Sequence, residues 1–259
     1  MLGGTLDIIL VSLAGLLIGS FLNVCIFRMP RDLSVVRPRS HCPGCGKLIR
    51  SWDNIPIVSF LLLRGKCRDC GERISWRYPL IEAATALLFF AFVSVQGPTL
   101  LAARNCFFAA ILLVLISTDL EMRILPEYLT IGGIFAGLLW AVFVPGTSFL
   151  DSLLGAVVPA GALWLTGWLF EKIRHKEGLG LGDVVMIAAI GAFLGLRETL
   201  LTFMLAAFAG SVTGLVYIRI TRKDPGSYHL PLGSFLGAAA IVVALCGDVI
   251  VRWYAGLWY

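Results

Sequence analysis

The chain has 259 residues, 58% of them hydrophobic and 14% charged, with a formal net charge of +5. Ordinary soluble domains carry roughly a quarter charged residues, so this composition excludes a soluble enzyme and points to a polytopic membrane protein. The basic excess follows membrane topology, as set out next, and no nucleic-acid partner is expected from it.

Eight apolar segments follow one another along the chain: 8–27, 78–95, 99–118, 128–144, 149–170, 183–196, 198–218 and 232–251. Most reach the roughly 17 to 25 residues that a spanning helix needs. The first has no basic run ahead of it and no small-residue cleavage site, so it reads as a retained helix and not a removable signal peptide. When the segments alternate sides, 18 of the 21 Lys and Arg fall on one side: eleven in 28–77, Arg123, three in 172–176 and three in 219–223. Arg104, Arg197 and Arg252 fall on the other. By the positive-inside rule the basic side is cytoplasmic and both termini are external. The expected fold is therefore an all-α polytopic membrane protein of about eight transmembrane helices. Its divisions are a first helix (1–27), a cytoplasmic zinc-binding domain (28–77) and a seven-helix membrane domain (78–259).

The 28–77 loop carries Cys42 and Cys45, then 21 residues, then Cys67 and Cys70. Each C-x-x-C pair is followed by a glycine, Gly46 or Gly71, free to take positive φ, so that the thiolates of both turns can converge on one ion. Stable disulfides are disfavoured in the cytoplasm, and two matched turns argue against a lone redox motif. Four cysteine ligands close a tetrahedral zinc site, which makes the metal structural and leaves no open coordination position. His41 is not needed as a ligand. Cys25, Cys106 and Cys246 lie singly in apolar helices and are assigned to packing.

Ionisable groups in or beside spanning helices are costly and are functional candidates by default. Glu82, Asp119, Glu121, Glu127 and Asp183 all fall on the cytoplasmic side of this topology. Asp183 stands at the start of a segment of only 14 residues, about 21 Å as a helix, against a hydrocarbon core of about 30 Å. Helix capping alone would account for an aspartate there. A short, thinned segment would also let Asp183 meet a partner such as Asp119 at the membrane edge. Glycines 178, 180 and 182 would then leave room for an extended peptide. Two close carboxylates share a proton, so one can take a proton from water while the other polarises a carbonyl. A transporter relaying protons would need acids spread across the bilayer, and these cluster at one face.

At this point the chain resembles the bacterial type 4 prepilin peptidases, membrane aspartic proteases of the GxGD class. The resemblance rests on GSFLNVCIFRMP (19–30), HCPGCGKLIRSWDNIPIVSFLLLRGKCRDCG (41–71), YPLIE (78–82), DLEMRILPEYLT (119–130), GLGD (180–183) and LPLGSFL (230–236). It implies that Asp119 and Asp183 are the catalytic pair, with Gly180 and Gly182 supporting, and that Cys42, Cys45, Cys67 and Cys70 bind zinc. It also implies a bacterial inner-membrane enzyme that cuts the basic leader from prepilins or pseudopilins of type IV pili or type II secretion. A second implied activity is methylation of the new N-terminus with S-adenosylmethionine. Two departures stand out: Val185 where the family often has lysine, and Glu127 where it has aspartate after Leu-Pro. No glycine-rich nucleotide loop is evident, and the cofactor-binding residues stay unassigned.

Overall fold

The computed structural model describes residues 2–175, 180–221 and 231–256. Lys176, Gly178, Arg222, Lys223 and Leu230 of the motifs and basic runs above lie outside the described residues. Nine α-helices are described: α1 (Leu2–Arg28), α2 (Val58–Leu62), α3 (Arg77–Gln96), α4 (Leu100–Met122), α5 (Glu127–Phe143), α6 (Phe149–Arg174), α7 (Leu181–Leu194), α8 (Leu196–Thr221) and α9 (Leu232–Gly256). Apart from α2, each helix occupies one of the eight apolar segments. Among the described residues, α1, α3, α4, α6 and α8 are long and apolar enough to cross a membrane. Three shorter apolar stretches, Glu127–Phe143, Leu181–Leu194 and Leu232–Gly247, lie in α5, α7 and α9. There is no strand among the described residues, only two isolated bridges in the cysteine segment.

The chain divides into two compact units, Met1–Val114 and Leu115–Tyr259. In the first, α1 and α3 run antiparallel in close contact. A methyl group added to Gly15 would lie 2.7 Å from Ala86 Cα, and one on Gly19 would lie 2.7 Å from Glu82 Cα. One turn further, Asn23 Nδ2 donates to the Tyr78 carbonyl at 3.1 Å. Small residues spaced by four let the backbones approach, which is how helices associate when lipid removes the hydrophobic driving force between them. At the end of α1, the buried Arg28 donates to the carbonyls of Ser34 (2.8 Å) and Pro38 (2.7 Å). The chain thus folds back toward the cysteine segment.

The second unit is built around α7. Met186, Ile187 and Ala189–Leu194 are all buried, as befits a helix that is apolar on every side. Its neighbours in α5, α6 and α8 have the inverse pattern of a soluble helix. On α5 the buried stripe is Thr130, Gly133, Gly137 and Ala141, while Ile131, Phe135, Leu139 and Val142 face outward. On α8 the buried stripe is Thr199, Thr202, Ala206, Gly210 and Gly214. Small residues inside and large apolar ones outside is the arrangement lipid favours. A Cβ on Gly191 of α7 would overlap the Gly155 carbonyl of α6.

Helix ends follow local chemistry. α4 stops where Arg123 turns to φ 54°, three residues before Pro126. The backbone N–H of Asp151 is capped by the Ser148 hydroxyl. Asp151 in turn reaches Leu196, accepting its N–H at 3.3 Å and capping the start of α8 beside Gly195 at φ 84°.

Candidate active site

Asp119 sits in the last turn of α4, in the second unit, and is 5% exposed. Its Oδ2 accepts the backbone N–H of Ser234 at 2.6 Å and the Ser234 hydroxyl at 2.7 Å. Ser234 lies in the first turn of α9, so Asp119 caps a helix 115 residues away in sequence. The hydroxyl also approaches the Ile116 carbonyl at 3.3 Å. The Asp119 Oδ1 atom accepts no hydrogen bond among the described residues.

Asp183 lies in the first turn of α7, half-buried, with its N–H donating to the Gly180 carbonyl at 3.1 Å. Gly180 offers α7 no side-chain cap, and the Asp183 carboxylate accepts no hydrogen bond among the described residues. Leu125 joins the two sites. Its side chain would stand 3.3 Å from a Cβ on Gly182 and 3.2 Å from one on Gly233, which would also meet Asp119 Oδ2 at 3.2 Å. The starts of α7 and α9, and with them Asp183 and the Asp119 that caps α9, are therefore gathered at one leucine. The space at Gly182 is taken by Leu125. At Gly180 a methyl group would make ordinary contact with Asp183 Oδ2 at 3.5 Å. Glu121 and Glu127 are exposed, and Val185 is half-buried two residues beyond Asp183.

In the first unit the four sulfurs of Cys42, Cys45, Cys67 and Cys70 lie within 4.8 Å of one another, with Cys42 and Cys70 at 3.7 Å. Four thiolates around one zinc at about 2.3 Å would stand about 3.8 Å apart, so the cluster could hold a metal ion. The two turns are copies of each other. Cys42 N–H donates to Lys47 O (2.9 Å) and Cys67 N–H to Glu72 O (2.7 Å). Gly46 N–H returns to Cys42 O and Gly71 N–H to Cys67 O, with the glycines at φ 70° and 75°. Residues 28–77 have almost no core of their own: the buried ones are Arg28, Cys42, Pro56 and Ser59. Backbone N–H groups of Cys70 and Asp69 draw the Cys67 thiol down to about 7. Lys47 bonds Asp69 at 2.9 Å, tying the turns together and holding that carboxyl below its usual range. Arg68 does the same to Asp53 at 2.6 Å.

Glu82, the remaining acid of the group, is buried in the first unit, where its Oε2 accepts the N–H of Ile57 at 2.7 Å. Ile57 is a β-branched residue at φ 59°, a conformation costly for its type. The Asn23 Oδ1 atom is buried and has no partner among the described residues.

Comparison with known proteins resolves the kinship. Residues 13–95 match the bacterial peptidase A24 N-terminal domain, and residues 106–215 match the type IV leader peptidase family. The chain belongs to the type IV leader peptidase family. A prepilin leader peptidase/N-methyltransferase of Pseudomonas aeruginosa is 35% identical, covering 93% of this chain and 91% of that protein. One from Stutzerimonas stutzeri is 37% identical over 93% of this chain and 91% of its own. One from Myxococcus xanthus is 39% identical over 85% of this chain and 66% of its own. No solved structure matches. Within this family match, Ser234 is the site residue that sequence reasoning missed. The LPLGSFL motif contains it, but nothing in that motif says that its serine meets Asp119.

Proposed function

We propose that this chain is a multi-pass inner-membrane endopeptidase that removes the basic leader from type IV prepilins or pseudopilins, and that it then methylates the new N-terminus. The observation that carries the reading is that Asp119, at the end of α4 where it caps α9, and Asp183, in the first turn of α7, are gathered about Leu125. Asp119 and Asp183 are the catalytic residues in this reading. One carboxylate takes a proton from water, whose oxygen bonds the scissile carbonyl carbon while the other, protonated, acid polarises the carbonyl oxygen. The C–N bond then breaks, and the leaving amine receives a proton from the pair. Ser234 is a positioning residue that fixes one oxygen of Asp119. Gly182 supports the site by admitting Leu125, and Gly180 starts the α7 turn without a side chain.

The segment 28–77 is read as the zinc-binding domain and the helices from 78 onward as the peptidase. Cys42, Cys45, Cys67 and Cys70 would hold a zinc ion, which would supply the cross-link that a segment with so few buried residues needs in order to fold. With the basic loops cytoplasmic, both termini are external and the acids face the side from which a basic leader arrives. Methyl transfer from S-adenosylmethionine rests on kinship with the named relatives. The described residues offer no glycine-rich strand-to-helix turn to cradle that cofactor.

The test uses purified protein in nanodiscs, a candidate prepilin and methyl-labelled S-adenosylmethionine, with cleavage and label incorporation read separately. Leader removal followed by labelling of the new N-terminus supports the whole reading. Cleavage without label removes the methyltransferase, and an intact prepilin removes the peptidase.

A further inference from the structure

The cysteine segment carries a second feature that the peptidase reading does not use. Helix α2, Val58–Leu62, presents Leu61 and Leu62 outward, Leu62 at 77% exposure. Two tryptophans flank it. The Phe60 ring meets the Trp76 ring at 4.9 Å, and the Ser59 hydroxyl donates to the Trp52 carbonyl at 2.9 Å. Both tryptophans are exposed, Trp76 at 69%. Exposed singly, such residues need no explanation, but four large apolar side chains around one helical turn form a patch.

The depth of this patch is set by its attachments. Trp76 is the residue immediately before α3, one of the helices able to span a membrane. Ile57, at the start of α2, donates its N–H to Glu82. Glu82 lies five residues beyond Arg77, about 7.5 Å into α3. The α2 turn is therefore held alongside the first turns of a helix long and apolar enough to span, at the end where such a helix would leave the hydrocarbon. Tryptophans favour that level. Arg64 and Lys66, both exposed, follow α2 directly, and 28–77 as a whole carries eleven Lys or Arg against four Asp or Glu.

The geometry points to α2 as an interfacial anchor that seats the cysteine segment on the bilayer. Leu61, Leu62, Trp52 and Trp76 enter the lipid interface, and Arg64 and Lys66 meet anionic headgroups. The partner is the membrane surface itself. The inference stands on the attachment of α2 to α3 and not on the peptidase chemistry.

The test places p-benzoylphenylalanine at Leu62 of the full chain in nanodiscs of phosphatidylethanolamine and phosphatidylglycerol, with irradiation and mass spectrometry of the adducts. Lipid adducts are the expected result and persist when prepilin is added. Adducts to prepilin that replace those to lipid, or no adduct to either, overturn the proposal. Because the label could disturb α2, hydrogen exchange of 56–63 in the unlabelled protein is measured beside it. Exchange is expected to be at least tenfold slower in these nanodiscs than in a lipid-free amphipol, and equal rates in the two overturn the inference.

Discussion

Replacing Gly191 with alanine tests whether helix packing positions the carboxylate pair. The added methyl would overlap the Gly155 carbonyl and approach the Ala156 nitrogen at 2.7 Å, and both are backbone atoms of α6 that no rotamer change can move aside. Restoring ordinary contact requires α6 and α7 to separate by roughly 1.5 Å. Overpacking of this kind costs about 1–3 kcal/mol, partly offset by the roughly 1 kcal/mol by which alanine is the better helix former. The protein should therefore still fold, with a modest loss of stability. Its active geometry should suffer more, because α7 carries Asp183. A misplacement of about 1 Å at a reacting group can cost on the order of 100-fold. The assay is kcat/KM for leader removal in nanodiscs, with thermal unfolding of the same preparation. Gly132→Ala on α5 is the control, since a methyl there meets nothing within 4 Å; it should cleave normally and be no less stable. If Gly191→Ala cleaves at the rate of the parent protein with an unchanged melting temperature, the packing argument fails.

Ser234→Ala removes one of two hydrogen bonds to Asp119 and leaves the backbone donor in place. A bond to a charged group is worth about 1.5–3 kcal/mol, so kcat/KM should fall roughly 10- to 100-fold with little change in KM; a rate within twofold of the parent argues against the positioning role. Purified protein should contain one zinc per chain by elemental analysis, and Cys67→Ser should lose it along with protection of 28–77 from protease. Full metal content in that variant contradicts the four-sulfur site. Asp151→Ala removes the cap on Leu196 of α8 and should cost about 0.5–2 kcal/mol in unfolding measurements. Its zinc content should be unchanged.

Much of the architecture is legible in composition and spacing. Every apolar segment became a helix, with boundaries moved by a few residues, because hydrocarbon length and helix geometry leave few alternatives. The paired C-x-x-C turns also carried over, since each turn is local and its glycine requirement is written beside the cysteines. What escaped was long-range. Asp119 reads in sequence as an acid near a helix end, and only the fold shows that it caps α9 through Ser234. Sequence alone reads glycines 178, 180 and 182 as room for substrate, whereas Gly182 is faced by Leu125, a contact between residues 57 positions apart. The helix α2 lay hidden in a loop because five residues are too few for a periodic pattern. Its link to Glu82 depends on a backbone turn at Ile57 that no propensity favours.

The central claim is that Asp119 and Asp183 together cut the leader. The most direct measurement is the rate of prepilin cleavage by Asp119→Asn and Asp183→Asn proteins, each shown to be folded and zinc-loaded in nanodiscs. The account expects each substitution alone to abolish cleavage, because an amide can neither take nor give the proton that the pair shares. Cleavage at the parental rate by either variant would contradict it.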